Sequence, residues 1–396
     1  MVRVIFTGTT GVRKLDAIGQ VIDEVLSSAG KPPDHNNVDS LRFIRYFDFE
    51  QELSKLFDVP LWTYLMGVHE KTQREMWDKT FNSIMKTIAK EKPKHVFIGL
   101  HATFFQSSRF FSVLNQDKIR RFKPDLFVTL IDDTYAVWKR IVTKSESGVD
   151  RGKSYLRLRD ILSWRAVELL VTDLIANRLQ KRNFMVAVKH PARMLFDLVF
   201  NPRKLFVYAS YPISKTRNDK KIREEIDKFR YKLHEDYVVF DPLTIDEKIM
   251  GLAAEGQSGK RVDLRKESRW PLPGGWSMVY DDDLTFPLSL IKGEISEVER
   301  DIEDYIEARD YRLVSQADAL IAYRPYYGGE FHRGVNSEIH FATNAMKERY
   351  FYTPNEDDKK KKSPFKDKGR TFDNLNEMYD TLTGVNPTDR RTWGSL

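Results

Sequence analysis

The sequence predicts an α/β protein of two domains, each built on a parallel sheet. Three observations carry this. Short apolar runs without alternation recur along the chain, the pattern of strands buried on both faces. Charged or amphipathic stretches long enough for helices separate them. The length, 396 residues, exceeds one typical domain of ~100–200 residues.

The elements follow in order. Val2-Arg-Val-Ile-Phe-Thr7 is a buried strand, and Gly8-Thr-Thr-Gly-Val-Arg-Lys14 leads from it into a helix. Lys94 to Thr103 holds a second strand. Lys123 to Ile131 holds a third, which ends on Asp132 and Asp133. Arg157 and Arg159 precede a long helix, Leu162 to Gln180, and Asn183 to His190 is a further strand. Asn201-Pro-Arg-Lys204 reads as a junction, so residues 1–200 form the first domain. The second covers residues 204–353. It opens on Leu205-Phe-Val-Tyr-Ala-Ser-Tyr-Pro212 and continues with a strand at Tyr237 to Asp241. Ala253 to Pro287 reads as one long loop, of a length that suits a lid or a binding loop. Within it Trp270 and Trp276 either stack on a base or pack locally, and Asp281 to Asp283 is either a metal ligand set or a solvated acidic run. Ile295 to Asp310 is a charged helix with Ile295, Val298, Ile302, Tyr305 and Ile306 near one face. Ala319-Leu-Ile-Ala-Tyr323 is a buried strand, followed by glycines at 328, 329 and 334 and a helix with Glu338 in its first turn. Residues 354–396 hold a solvated run, Lys359 to Lys362, and one amphipathic helix, Thr371 to Thr383.

Composition narrows the function classes. Cysteine is absent, which removes disulfides, thiolate nucleophiles and cysteine-based zinc sites. No apolar run is long enough to span a membrane, and the first residues form a strand rather than a signal peptide. A cytoplasmic protein is expected. The net charge of +7 is partly local to the lysine run, and no aromatic-interleaved basic stripe marks nucleic acid as a partner.

Two sets of residues point to chemistry. In the second domain, Asp310 and Glu338 are placed to converge outside the carboxyl end of a strand, where open α/β sheets bind ligands. Paired carboxylates suit glycosidic cleavage, one at the anomeric carbon and one handling a proton. The other reading of Glu338 is a helix-dipole partner. In the first domain, Gly8, Gly11 and Lys14 keep part of a phosphate-binding loop, whose amides and lysine cradle an anion. Arg13 stands where its last glycine belongs, and Leu15 where its magnesium-holding hydroxyl belongs.

Residues 204–353 resemble the nucleoside 2-deoxyribosyltransferases and related nucleotide N-glycosidases. The resemblance rests on Tyr208 and Pro212, on Asp310 with Ala317-Asp318, and on Gly334, Glu338 and Ala342 in that order. It implies a flavodoxin-like sheet, Glu338 as nucleophile, Asp310 at the leaving base and Tyr208 orienting sugar or nucleophile. It implies a nucleoside or nucleotide substrate, no cofactor and no metal for the glycosidic step, and a homo-oligomer. His332 and Arg333 depart from the family's residue before the glycine. A cation there favours a phosphorylated substrate, so His332, Arg333, Gly334 and Ser337 are the substrate- and phosphate-binding candidates. Arg333 also reads as a plain solvated charge.

Residues 1–200 are similar to archaeal-type adenylate kinases with a P-loop sheet. In those kinases the second strand ends in an acid. Here Gly99-Leu-His-Ala-Thr103 lacks it and keeps His101. The resemblance implies a nucleotide site at Gly8, Gly11, Arg13, Lys14, His101, Arg157 and Arg159, taking ATP with magnesium. Loss of the hydroxyl and of the acid favours binding over phosphoryl transfer. A nucleotide kinase with a ligand-binding second domain, and a non-enzymatic sensor, are the alternatives.

Overall fold

A computed structural model describes the chain apart from residues 32, 35–36, 60–67, 107, 147–155, 257–258, 265–275, 280, 282, 329, 355–367 and 386–396. Trp270, Gly329 and the lysine run 359–362 therefore lie outside the described residues. The chain divides into two compact units. The first holds Met1–Phe196 and Gly275–Leu284, and the second holds Asp197–Gly274 with the chain from Thr285 onward to residue 390. Each unit carries a five-stranded parallel sheet. Among the described residues no helix is long and apolar enough to cross a membrane.

The first unit runs β1 (Val2–Thr7), α1 (Lys14–Ser28), α2 (Val38–Phe43), β2 (Ile44–Asp48), α3 (Phe49–Phe57), α4 (Glu70–Glu91) and β3 (His95–Gly99). It continues through a hairpin, β4 (Phe104–Gln106) and β5 (Arg109–Phe111), to α5 (Gln116–Phe122), β6 (Leu126–Ile131), α6 (Thr134–Glu146), α7 (Leu158–Arg178) and β7 (Asn183–Ala187). Its sheet order is β2-β3-β1-β6-β7. β1 is central, with Val4 opposite Phe97 of β3 and Ile5 opposite Phe127 of β6. Every residue of β3 and β6 is buried, which is why these strands read as unbroken apolar runs. One face is covered by Trp77, Phe81 and Ile84 of α4 and Ile175 of α7. Trp77 stacks between Phe49 and Phe81 at 5.1 and 5.0 Å. Truncating one such ring typically costs ~3–5 kcal/mol.

Residues 276–284, which the sequence places in a long loop of the second domain, belong to the first unit. The Met278 amide donates to the Val188 carbonyl at 2.7 Å, just past the end of β7. Gln20 Nε2 of α1 donates to the Met278 carbonyl at 3.0 Å. Met278 and Val279 are buried at 1% and 4% exposure. Two apolar side chains and an edge amide explain why this strap stays on the first unit rather than in a solvated lid.

The division between units falls inside α8 (Ala192–Phe200). The second unit then runs β8 (Phe206–Ser210), α9 (Ile213–Thr216), α10 (Lys220–Asp236), β9 (Val238–Phe240) and α11 (Lys248–Gly256). A two-stranded pair, β10 (Arg261–Asp263) and β11 (Thr285–Pro287), precedes α12 (Leu288–Gln316). So the stretch read as one loop from 253 to 287 contains the end of a helix and two paired strands, and the charged helix read as Ile295–Asp310 starts seven residues earlier and ends six residues later. Next come β12 (Ala319–Tyr323), a hairpin of β13 (Tyr326–Tyr327) and β14 (Glu330–Phe331), α13 (Arg333–Asn344), β15 (Glu348–Tyr352), β16 (Arg370–Phe372) and α14 (Leu375–Thr383).

The second sheet has the order β16-β15-β12-β8-β9. Counted within the unit this is 5-4-3-1-2, a doubly wound order whose reversal lies between β8 and β12. The expected helix over Thr371–Thr383 is corrected at its start. Arg370 to Phe372 pairs with Tyr350 to Tyr352 as the fifth parallel strand, and only Leu375–Thr383 is helical. Gly369 makes that edge fit, since a Cβ there would lie 2.7 Å from the Arg349 carbonyl oxygen.

Candidate functional site

In the second unit the site forms at the carboxyl end of β8. Side chains two apart on a strand share a face, so Tyr208 and Ser210 point the same way. They sit opposite Leu320 and Ala322 of β12, at the reversal of strand order. Glu338 reaches them from α13. The Tyr208 hydroxyl donates to Glu338 Oε1 at 2.8 Å, and Ser210 Oγ donates to Oε2 at 2.5 Å. Both oxygens of one buried carboxyl are thus held by hydroxyl donors. Glu338 lies in the second turn of α13, since Arg333 is its first residue and the first turn holds no acid. The expected first-turn place is corrected, and with it the helix-dipole reading loses its geometric basis, because the dipole acts within the first turn.

Asp310 lies within α12, six residues before its end rather than at it. Arg309 Nε and Nη2 both donate to its Oδ1, at 3.0 and 2.8 Å. Arg309 Nη1 donates to the Ile245 carbonyl at 2.9 Å and lies 3.8 Å from Glu247 Oε2. Burial raises the pKa of Asp310 despite the Arg309 charge, and Glu247 adds to the rise. Burial, then the Asp310 charge, push Glu338 up to about 8, against the pull of Ser210 and Tyr208. Tyr208 is raised well above its ordinary value by burial, then by Asp310 and Glu338, so its hydroxyl stays a donor. Two buried carboxyls whose charges oppose one another do not both ionise readily, and Glu338 keeps its proton up to about pH 8. That state supplies a carboxylate and an acid together, the pair that glycosidic cleavage needs.

The other residues named from sequence divide. His332 is the buried residue that precedes α13, and Gly334 is exposed in its first turn with nothing within 4 Å of where a Cβ would stand. Arg333 is exposed, and Glu307 is held below the ordinary carboxylate value first by the Tyr311 hydroxyl, then by Ser337, and last by the Arg333 charge. Ser337 is engaged away from Glu338. Its hydroxyl lies 2.5 Å from the Tyr311 hydroxyl and donates to Glu307 Oε1 at 2.9 Å. Asp318 has a structural place. Its carboxylate accepts from the Phe206 amide at 2.9 Å, and its own amide donates to the Phe206 carbonyl at 2.7 Å. It clamps the amino end of β8 to that of β12, while Glu338 meets β8 nearer its carboxyl end.

In the first unit the loop after β1 turns through left-handed backbone at Gly11 and at Arg13, with φ of 90° and 59°. Lys14 is buried. Its Nζ donates to the Gly8 carbonyl at 3.1 Å and lies 3.2 Å from both ring nitrogens of His101. His101 Nδ1 also lies 2.6 Å from the Gly8 carbonyl, and Nε2 lies 3.7 Å from Glu50. Glu50 is pushed up to about 8, first by burial. Glu168 of α7 takes the amides that face it. It accepts from Gly8 N at 2.9 Å, Ala102 N at 2.8 Å, Thr103 N at 2.7 Å and Thr103 Oγ1 at 2.6 Å. Arg13 pairs with Asp16 at the surface. Arg157 and Arg159 are exposed at the start of α7.

The missing acid at Gly99 has a steric reason. A Cβ at Gly99 would lie 2.3 Å from the Tyr46 hydroxyl, so the ring of the neighbouring strand fills that space. Asp132 and Asp133 are bound by cations. Arg140 Nη2 lies 2.7 Å from Asp132 Oδ2, and Lys189 pairs with Asp133. Among the described residues no group of three or more metal-ligating side chains could hold a metal ion.

No family model matches this chain. No curated protein matches it either.

Sequence reasoning missed Ser210, Arg309, Glu247 and Glu168. Ser210 was legible, being two residues beyond Tyr208 on the same strand face. Arg309 is the chain neighbour of the Asp310 it holds, whereas Glu247 and Glu168 required the fold, being separated from their partners by tens of residues.

Proposed function

We propose that the second unit cleaves or transfers at the N-glycosidic bond of a nucleoside or nucleotide. The observation that carries this is the seating of Glu338, both oxygens held by Tyr208 and Ser210 and its charge opposed by Asp310. Glu338, which keeps its proton up to about pH 8, passes that proton to the Asp310 carboxylate, and the Glu338 carboxylate so formed attacks C1′. The bond from C1′ to the base nitrogen breaks, its electron pair leaves with the base, and Asp310 gives that base its proton. Water, or a second base, then gives a proton to Asp310, attacks C1′ and frees Glu338. Tyr208 and Ser210 hold the carboxylate in one orientation, which lowers the entropic part of the barrier. Arg309 keeps Asp310 in place. The first unit binds a nucleotide at Gly8 to Lys14 and does not transfer phosphate efficiently, since Leu15 supplies no hydroxyl and Tyr46 leaves no room for an acid at 99.

The test is release of free base from a panel of ribo- and deoxyribonucleosides and their 5′-phosphates, read by chromatography. Glu338→Gln should lower the rate by a factor of about a thousand or more. The rate should rise and then fall with pH, because the reaction needs one carboxylate and one proton in the pair. Absence of base release from every substrate, with and without an acceptor base, would overturn the reading.

A further inference from the structure

Arg140 stands at the turn of the first unit's glycine loop, and the sequence motif contains no sign of it. It comes from α6, the helix against which Gly11 is held. A Cβ at Gly11 would lie 3.1 Å from Val137 and 3.2 Å from Ile141 of that helix. Arg140 Nη1 donates to the Gly11 carbonyl at 2.6 Å. The rest of its guanidinium is taken by carboxylates. Nε and Nη2 grip Asp281 in a two-pronged pair at 2.7 and 2.5 Å, and Nη2 also lies 2.7 Å from Asp132. Asp132 comes from β6's end, whereas Asp281 arrives on the strap 276–284. The strap has three more ties: the Met278 amide on Val188, Gln20 on the Met278 carbonyl, and Lys139 at 3.4 Å from Asp283. A second carboxylate of the chain, Glu168, sits on the Gly8 amide at the other end of the same loop.

We propose that Arg140 is the anion-recognising cation of this loop, and that Asp281 is an internal competitor for an oligophosphate. This rests on the reading of the first unit as a nucleotide site and adds how that site is masked. With Nη1 on the loop carbonyl, the Nε–Nη2 edge is left as the fork for a bidentate anion, and carboxylate and phosphate fit it alike. A bound oligophosphate takes the fork from Asp281, the strap loses its central ion pair, and the Met278 amide is released from the edge of the sheet. Asp132 stays on Arg140 and holds its orientation, so exchange of one anion for another does not require the arginine to move.

The experiment titrates the full chain with inorganic tripolyphosphate by calorimetry. Asp281→Asn removes the competing charge and keeps the size, and should bind about tenfold more tightly than wild type or better. Arg140→Met in the Asp281→Asn background should abolish that gain. Hydrogen exchange at the Met278 amide in the unmutated protein should rise as tripolyphosphate is added, a readout that needs no variant to fold. Unchanged affinity in Asp281→Asn with no change in Met278 exchange overturns the masking and leaves the nucleotide site standing. Absence of binding by the wild type and by Asp281→Asn overturns the nucleotide site and the masking together. Neither result touches base release at Glu338, which is measured separately.

Discussion

At the scale of single residues, the informative quantity is the proton on Glu338. Its pKa is pushed up to about 8 by burial and by Asp310. Between the ordinary carboxylate range and that value, the folded chain keeps a proton that the unfolded chain has released. Stability must therefore fall as pH rises through this window. Glu338→Gln removes the ionisation, keeps an acceptor for Tyr208 and leaves Ser210 a partner. It should abolish base release yet melt higher than wild type near about pH 8, with the difference shrinking toward about pH 5. The gain should be about 2–4 °C for each kcal/mol relieved. A variant that melts at or below wild type at the higher pH would show that the carboxylate carries no such cost. The residues of this site were only partly legible. Tyr208, Asp310 and Glu338 follow from a spaced motif. Arg309 and Glu247 matter through a contact at 3.8 Å between α12 and the chain after β9, which no local spacing encodes.

At the scale of elements, β2 and β3 explain a departure that the sequence could only register. Gly99 closes β3, and the Tyr46 ring of β2 stands over it. Gly99→Ala should cost roughly 1–3 kcal/mol, the usual range for overpacking. Tyr46→Phe should recover much of that loss, because the atom at 2.3 Å disappears and the nearest ring atoms stand at 3.1 Å. Denaturant midpoints for the two single variants and the pair measure the coupling. Simple addition of the two costs would show that the ring moves aside freely. The strands themselves were the most legible elements, because burial on both faces writes an unbroken apolar run. β16 was not legible. It is three residues long and shows no apolar run, and it exists because the edge of β15 offers it hydrogen bonds.

For the whole molecule, the chain path is the consequential feature. After Leu284 the chain passes from the first unit to the second, and the next long element is α12, which carries Arg309 and Asp310. Release of the strap by an oligophosphate would change the tether of the helix that positions Asp310. Base release measured with and without ATP should therefore differ, by a factor that Asp281→Asn reduces toward one. An identical rate with and without ATP, in a protein shown to bind it, would mean that the units act independently. The sequence by itself determined the two parallel α/β sheets, their buried strands and the order of Tyr208, Asp310 and Glu338, because burial and strand periodicity are local and leave a pattern in neighbouring residues. Only the tertiary structure decided that 276–284 belongs with the first sheet, that Arg140 and Glu168 occupy the glycine loop, and that Glu338 of α13 meets the Tyr208–Ser210 face of β8. Those are pairings between charges and dipoles far apart along the chain, and their energy depends on distance in space, which sequence separation does not record.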